Sequence, residues 1–572
     1  MNPVLIVGAG PAGCVSALTL RKLGHEVVLF ERAGAPEYKI GESLLPGTLS
    51  ILHRLGLKDR LDAAKFVKKP SATFIWGADE EPWTFSFATA RPEPWIYDHA
   101  IQVLRSEFDG ILLDAVKEAG VEVRAGHSVS GIESSRPDDV EVQWTANGQS
   151  GTQRGSYVID CTGQAGLIAK KHELRRYDAF YRSLAVWNYF PATRAFSGDL
   201  NGTTFSITFR DGWIWMIPLK DGTYSVGAVV DTEASREIQA LGASAFLDRC
   251  LRSAPEVHTI VDLSQPRSET RIIREWSYDA TRFSFGRVFM CGDAACFTDP
   301  LFSQGVHLAT QSAVCAAGAI DALAKNPAHA DAVHQWFDTS YRESYSQYHE
   351  FLASFYSHAS RLMPSSAFWS KRRVQDFADK RFANTLWMKS LTGQAEPEAG
   401  GEGAVIDQFV GRSGTMIGIG QHLRKELHAD FSEAELSQKR LMWVANLTKS
   451  LNRIQKFSWV GDEARLVPTF KVDPLSFRLR EEAIVANERG VTMSKYPLNE
   501  KYLAVLQALK HEEVGYKELM RRFQALDQPE VASQIIIRLL EAGLLRGYDK
   551  KGERVAIQKR LRFDGVGAEY EV

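Results

Sequence analysis

The chain has 572 residues, 44% of them hydrophobic, with 68 Lys and Arg against 70 Asp and Glu, for a formal charge of -2. That length and apolar content suit two or three domains with cores of their own, and the near balance of charge argues against a nucleic-acid or anionic-membrane partner. The six cysteines (Cys14, Cys161, Cys250, Cys291, Cys296, Cys315) lack paired metal-ligand spacing and read as free buried thiols. A Met-Asn-Pro start that runs straight into a strand, and no uninterrupted apolar run of about 18 residues, predict a cytoplasmic enzyme without a membrane span.

In chain order, VLIVGAGPAGCVSALTLRKLGHEVVLFER reads as an apolar strand, a glycine turn, an amphipathic helix and a second strand ending in an acid. Gly8, Gly10 and Gly13 supply G-x-G-x-x-G in that context. The first glycine permits the tight turn, the second lets backbone approach a pyrophosphate, and the third lets helix and strand pack closely. Glu31 falls where its carboxylate can accept from ribose hydroxyls.

Lys68 and Lys69 follow, just before the strand pattern SATFIWG, and an extended chain sends their side chains to opposite sides. Arg105 opens the helix pattern RSEFDGILLDAVKEAG, and VEVQWTA suggests further sheet. YVIDCTG at 157–163 is a strand leading to Asp160 and Gly163. Residues 173–230 are β-rich and include TTFSITF, GWIWMIP and YSVGAVV. In GWIWMIP, residues Trp213, Trp215 and Ile217 share one face of a strand, so two stacked indoles and an isoleucine can wall off a cavity, with Pro218 ending it. RVFMCGDAACFTDPLFSQGVHLATQSAVCAAGAI then reads as a strand, Gly292-Asp293, a loop and a long small-residue helix. Backbone amides in the turn from Asp299 and Pro300 through Ser303, Gln304 and Gly305 suit an anion as they enter that helix.

The predicted fold class is α/β with an α+β insert. A dinucleotide-binding core spans 1–330, with an inserted substrate sheet at about 70–100 and 173–230. A helical extension covers 331–392, GQAEPEAGGEGA at 393–404 reads as a linker or loop, and 405–572 forms a C-terminal domain. Its part at 496–560 has three helical patterns and a hairpin pattern, a winged-helix-like order. The third pattern has one basic residue, Arg538, amid Ile535, Ile536, Ile537, Leu539 and Leu540, which favours packing or a protein contact over DNA. The glycines Gly411, Gly414, Gly418 and Gly420 lack the flanks of a second dinucleotide motif, so no tight NAD(P)H site is expected.

The Gly-Asp segment resembles that of FAD-dependent monooxygenases and their relatives. This implies FAD, with Asp293 on the ribityl chain and with Gly292, Pro300, Asp160, Gly163 and Arg105 beside the cofactor. Without the resemblance, Asp293 reads as a helix N-cap and Arg105 as a surface ion pair. W-x-W-x-I-P at Trp213, Trp215, Ile217 and Pro218, with Lys69 before SATFIWG, resembles the flavin-dependent halogenases; GESLLPGTLSILHRLGL and CFTDPLFSQGVHLA resemble especially the chloramphenicol-type members. The likeness covers about the first 390 residues.

It implies a chlorinase that uses FADH2 from a separate reductase, oxygen and chloride to make hypochlorous acid, with chloride held by Ser303, Gln304 and Gly305. Lys69 would deliver it to an activated carbon of a natural-product intermediate, with a carrier-tethered acyl group as one candidate. Phe302 stands where tryptophan halogenases carry a catalytic glutamate, which argues against tryptophan as substrate. Glu275 is a candidate for covalent flavin attachment. An aromatic hydroxylase or reductase of the same fold explains the glycines and acids but gives Trp213, Trp215 and Lys69 no role. A flavin-binding regulator or adaptor using the C-terminal module is the alternative from another class.

Overall fold

The computed structural model describes residues 2–77, 82–88, 97–363 and 365–372, and, further on, 449–459, 465–486, 492–497, 500–509, 511–526, 545–558 and 569–571 with Ala532, Ile535, Ile536, Leu539 and Leu540. The proposed linker at 393–404 and Gly411, Gly414, Gly418 and Gly420 lie outside these residues. The chain divides into two compact units, the first built mainly on residues 1–378 and the second on the C-terminal residues.

The first unit rests on two sheets. Strands Val4–Val7, Val27–Glu31, Glu122–Ala125, Tyr157–Asp160 and Val288–Met290 pair in parallel, with the short Ser284–Phe285 antiparallel at one edge. The inner strands Val4–Val7, Tyr157–Asp160 and Val288–Met290 are buried along their whole length, as a parallel sheet covered on both faces requires. Helix Pro11–Leu23 packs on helices Arg105–Glu118 and Gly305–Lys325. Among the described residues, Gly305–Lys325 is the one helix long and apolar enough to cross a membrane, but 83% of its apolar window is buried in this core.

The second sheet has eight strands in the order Cys296–Phe297, Arg271–Ala280, Arg175–Pro191, Thr223–Asp231, Gly212–Pro218, Thr204–Phe209, Ser71–Ile75 and Trp83–Ser86. It therefore draws on more of the chain than the two inserts expected from sequence. Its strands alternate in the usual period of two. Ile214, Met216, Val226 and Ala228 turn to one face, where Ile238, Phe246, Leu247 and Leu251 from the following helices cover them. Trp213, Trp215 and Ile217 turn to the other face and line a cavity.

Helix Ala330–Leu362, within the stretch read as a helical extension, belongs to the first unit and packs against Gly305–Lys325. Its Tyr341, Phe355 and Tyr356 are buried, so their apolar area binds the helix to the core. All six cysteines are free, five of them buried.

The second unit has its own core. Leu506 and Leu519, from helices Glu500–Ala508 and Tyr516–Gln524, meet Ile535, Ile536, Leu539, Leu540, Phe457 and Trp459 there. The described apolar residues of the third helical pattern, Ile535, Ile536, Leu539 and Leu540, are thus packed inward. Strand Leu545–Tyr548, the first arm of the expected hairpin, pairs with Lys456–Trp459, and the chain turns back through Asp549–Glu553.

Candidate active site

A cavity of about 1080 Å3 lies between the two sheets of the first unit. At one end are the glycine turn and the end of the second strand. Gly8 adopts φ +104°, and a Cβ there would lie 2.3 Å from the Cys161 carbonyl oxygen. At Gly13 a Cβ would lie 1.8 Å from the Gly8 carbonyl oxygen, which enforces close helix–strand packing. Gly10 differs: a Cβ would meet no atom within 4 Å, yet Gly10 borders the cavity. Its missing side chain leaves room for a ligand. Glu31 borders the same space and accepts from Ala9 N at 2.7 Å and Ala33 N at 3.0 Å, which orients its carboxylate and leaves further lone pairs for hydroxyls.

Gly292, Asp293, Gly163, Arg105 and Pro300 also line the cavity. The Asp293 carboxylate takes no hydrogen bond from the described residues, and burial pushes its pKa up to about 6 against the pull of Arg105 and Arg175. It is not a cap; an unengaged carboxyl beside a cavity suits a polyhydroxylated ligand. Arg105 is no surface ion pair either. It is buried, holds Asp109 through Nε and Nη2 at 3.0 Å each, and donates to the Ile40 carbonyl at 2.6 Å. Glycines opening backbone to the cavity, a fixed acid at the second strand and a free carboxyl at Asp293 fit FAD.

Asp160 departs from the sequence reading. It is fully buried, does not line the cavity, and spends its carboxylate on Thr162 N, Thr162 Oγ1 and Ile168 N at 3.0, 2.6 and 2.8 Å. It shapes the loop that presents Gly163. Gln304 departs likewise: its side chain is buried and donates to the Asp299 carbonyl, while Ser303 and Gly305 face the cavity. Ser303 has φ +59°, which closes the Pro300–Phe302 turn and aims the chain into helix Gly305–Lys325. The first amides of such a helix have no acceptor within it and favour an anion. The backbone of Glu275 lies in strand Arg271–Ala280 opposite Ser183; its side chain is outside the described residues.

Trp213 and Trp215 are tilted by 57° with ring centroids 6.2 Å apart, so they adjoin at an angle and do not stack as expected. Trp215 reaches over Gly227 of the next strand, where a Cβ would lie 2.3 Å from the indole, and so approaches Trp187. Trp213 Nε1 donates to the Tyr356 hydroxyl at 2.5 Å, which donates to Asp299 Oδ2 at 2.8 Å. One buried chain thus joins the indole wall to the turn that leads to Ser303. Burial pushes the Asp299 carboxyl up to about 6. Pro218 lies at the end of the strand, outside the cavity lining.

Lys69 is 2% exposed. Its Nζ donates to Ser43 Oγ at 2.7 Å and to the Leu44 carbonyl at 3.3 Å, with the Phe87 ring 5.4 Å away. No carboxylate among the described residues compensates it, and desolvation lowers its pKa to about 7. Lys69 stands one side chain behind the cavity wall, since Ser43 and its partner Thr204 line the cavity. Lys68 points the other way, exposed, with Asp98 at 3.9 Å.

Glu42 was missed. It is 2% exposed and borders the cavity, its Oε1 is bonded to the Tyr189 hydroxyl, and burial raises its pKa to about 7. The visible signal was Gly-Glu-Ser just before the helix Pro46–Arg54, an acid and a hydroxyl beside a turn. Nothing local marks Tyr189 or Tyr356, which arrive from 147 and 143 residues away from their partners Glu42 and Trp213.

The family described as FAD binding domain matches residues 1–339, and that described as chloramphenicol halogenase CmlS C-terminal domain matches 443–560. The crystal structure of CmlS, a flavin-dependent halogenase, is 48% identical, covers 99% of this chain and 99% of its own, and superposes with a TM-score of 0.79. The chain belongs to the flavin-dependent halogenases. This halogenase is also similar to the myxobacterial chondrochloren halogenase CndH, at 33% identity over 68% of this chain and 90% of that one, with a TM-score of 0.61. Among curated proteins it is similar to a tryptophan 2-halogenase of Chondromyces crocatus, 32% identical over 377 residues, which are 65% of this chain and 70% of the relative. The halogenase is therefore an FAD-dependent oxidoreductase, and the hydroxylase and adaptor alternatives fall away.

Proposed function

We propose that this halogenase chlorinates an activated carbon of a small natural-product intermediate and that Lys69 carries the chlorine to it. Gly8, Gly10, Glu31, Gly163, Arg105, Gly292, Asp293 and Pro300 would hold FAD along the cavity. Bound as FADH2, supplied by a separate reductase, the flavin provides the electrons and oxygen chemistry that turn chloride into hypochlorous acid. The residues of the chain do the rest. The amides entering helix Gly305–Lys325 beside Ser303 hold the halide. Trp213, Trp215 and Ile217 keep organic substrate off the flavin side. Glu42, with a pKa near neutrality, holds or takes a proton at the cavity wall.

The observation that carries this reading is Lys69: a buried amine with no counter-ion among the described residues, hydrogen-bonded to a serine that lines the cavity. Desolvation favours the neutral amine, the form that attacks electrophilic chlorine; as an ammonium it would instead hold hypochlorous acid by a hydrogen bond. Phe302 is buried against Phe74 and Phe355 and offers no carboxylate to a bound indole. An acyl group carried on a carrier protein is accordingly the first candidate to assay, followed by phenols.

The test is Lys69→Ala. FAD binding and oxygen use should persist while chloride-dependent product falls more than a hundredfold, because loose diffusion does not replace a positioned reagent. Lys68→Ala should stay within about twofold of the parent, as for an exposed side chain away from the site. Lys69→Ala halogenating at the parent rate would overturn the lysine's role, and product formed equally without halide would overturn chlorination.

A further inference from the structure

Behind Glu42 three polar side chains run in single file. Trp187 Nε1 donates to the Tyr38 hydroxyl at 2.6 Å, the Tyr38 and Tyr189 hydroxyls are bonded to each other, and the Tyr189 hydroxyl is bonded to Glu42 Oε1. Glu42 and Trp187 are buried, at 2% and 4% exposure, whereas Tyr189 and Tyr38 are half-buried and Tyr38, partly open to solvent, lines the cavity. Glu42 Oε2 is sealed from solvent and makes no hydrogen bond among the described residues, with the Ser225 hydroxyl nearby. The carboxyl thus has one oxygen on the hydroxyl chain and another that no hydrogen bond claims, in a residue that lines the cavity.

Proton count fixes how such a chain works. A phenol has one proton, so Tyr189 donates to only one of its two partners at a time. The indole can only donate, so one lone pair of Tyr38 is always occupied and the Tyr38 proton is left to point toward Tyr189 or toward solvent. With Glu42 ionised, every donor points inward from Trp187 through Tyr38 and Tyr189 to the carboxylate. With Glu42 protonated at Oε1, the bonds from Glu42 through Tyr189 to Tyr38 run outward and the Tyr38 proton turns to solvent, while the indole still donates to Tyr38. The two polarities differ by the passage of one proton.

We propose that Tyr189 and Tyr38 form the relay through which Glu42 exchanges protons with solvent. When Glu42 gives a proton to the cavity from Oε2, Oε1 takes the Tyr189 proton, Tyr189 takes that of Tyr38, and Tyr38 takes one from solvent. Rotation of the carboxyl returns the acid to its starting form. Both phenols end neutral, no bond to carbon changes, and no electron moves. Burial raises both phenols above their ordinary pKa, which disfavours a resident phenolate and favours concerted passage. The charges facing the chain are Arg105 and Asp221 toward Glu42, and Arg271, 4.0 Å over the Tyr38 ring. The relay rests on Glu42 acting as the proton-holding group of the halogenation cavity.

The experiment uses flavin-free protein labelled with carbon-13 glutamate. After a rapid pH jump through neutrality, the Glu42 carboxyl band, assigned by its loss in Glu42→Gln, is followed by time-resolved infrared spectroscopy. Tyr189→Phe and Tyr38→Phe should each slow proton exchange at least tenfold. Imidazole, a diffusible proton carrier, should restore product formation in the loaded variants and leave the parent unchanged; a residue that only held Glu42 in place would give no such rescue. Exchange at the parent rate in both variants overturns the relay. Full halogenation by Glu42→Gln would instead overturn the role of Glu42 beneath it, a separate outcome.

Discussion

Lys69 is held in a place that penalises its own charge, and the penalty has a sign that can be measured. Its pKa falls from 10.5 to about 7. Between those values the unfolded chain keeps the proton and the folded chain does not, so this group makes stability rise with pH across that window and imposes its full cost at and below pH 7. Lys69→Met, similar in volume and without charge, should raise stability at pH 6.5 by on the order of 2 kcal/mol, with the gain fading toward pH 10. Urea unfolding at the two pH values checks it; a gain that grows with pH would contradict the buried-amine account. The glycines separate by the same kind of local reasoning. Gly10→Val should fold normally and lose FAD affinity at least a hundredfold, about 2.7 kcal/mol, since its side chain enters open cavity. Gly13→Ala, meeting backbone at 1.8 Å, should instead fail to fold. Far-UV circular dichroism and flavin titration distinguish the two.

Elements whose chemistry is written locally were legible in the sequence. The glycine turn, the alternation of Trp213, Trp215 and Ile217, and the opposed Lys68 and Lys69 follow from periods of a few residues. What could not be read were the partners those residues meet. Helix Ala330–Leu362 brings Tyr356 to Trp213 and Asp299, and strand Arg175–Pro191 brings Tyr189 to Glu42; such bonds span more than 50 residues and leave no periodic trace. Asp160 and Gln304 fail for a related reason, because each side chain has a nearer backbone partner that claims it before any ligand does. Tyr356→Phe tests the element-scale link. It strips Trp213 Nε1 of its acceptor and Asp299 Oδ2 of a donor, so stability should fall by about 2 kcal/mol. Oxygen use should become less coupled to halogenation as the wall and the halide turn lose their tie. An unchanged coupling ratio would make the bond structural only.

At the scale of the whole molecule, the first unit contains the cavity, every described residue proposed to act in it, and both sheets, while the second unit packs Phe457, Trp459, Leu506, Leu519 and Ile536 around a core of its own. Two cores are two cooperative entities, so heating should give two endotherms in scanning calorimetry where a chain with one core would give one. Flavin, held at the site proposed in the first unit, should couple to only one of them. At a hundredfold excess over its dissociation constant it adds about 2.7 kcal/mol to the unit that binds it and nothing to the other. The upward march of a single peak with FAD concentration, beside a peak that stands still, would show which half of the chain the cofactor holds together; both peaks moving as one would mean that the two cores melt as a single body.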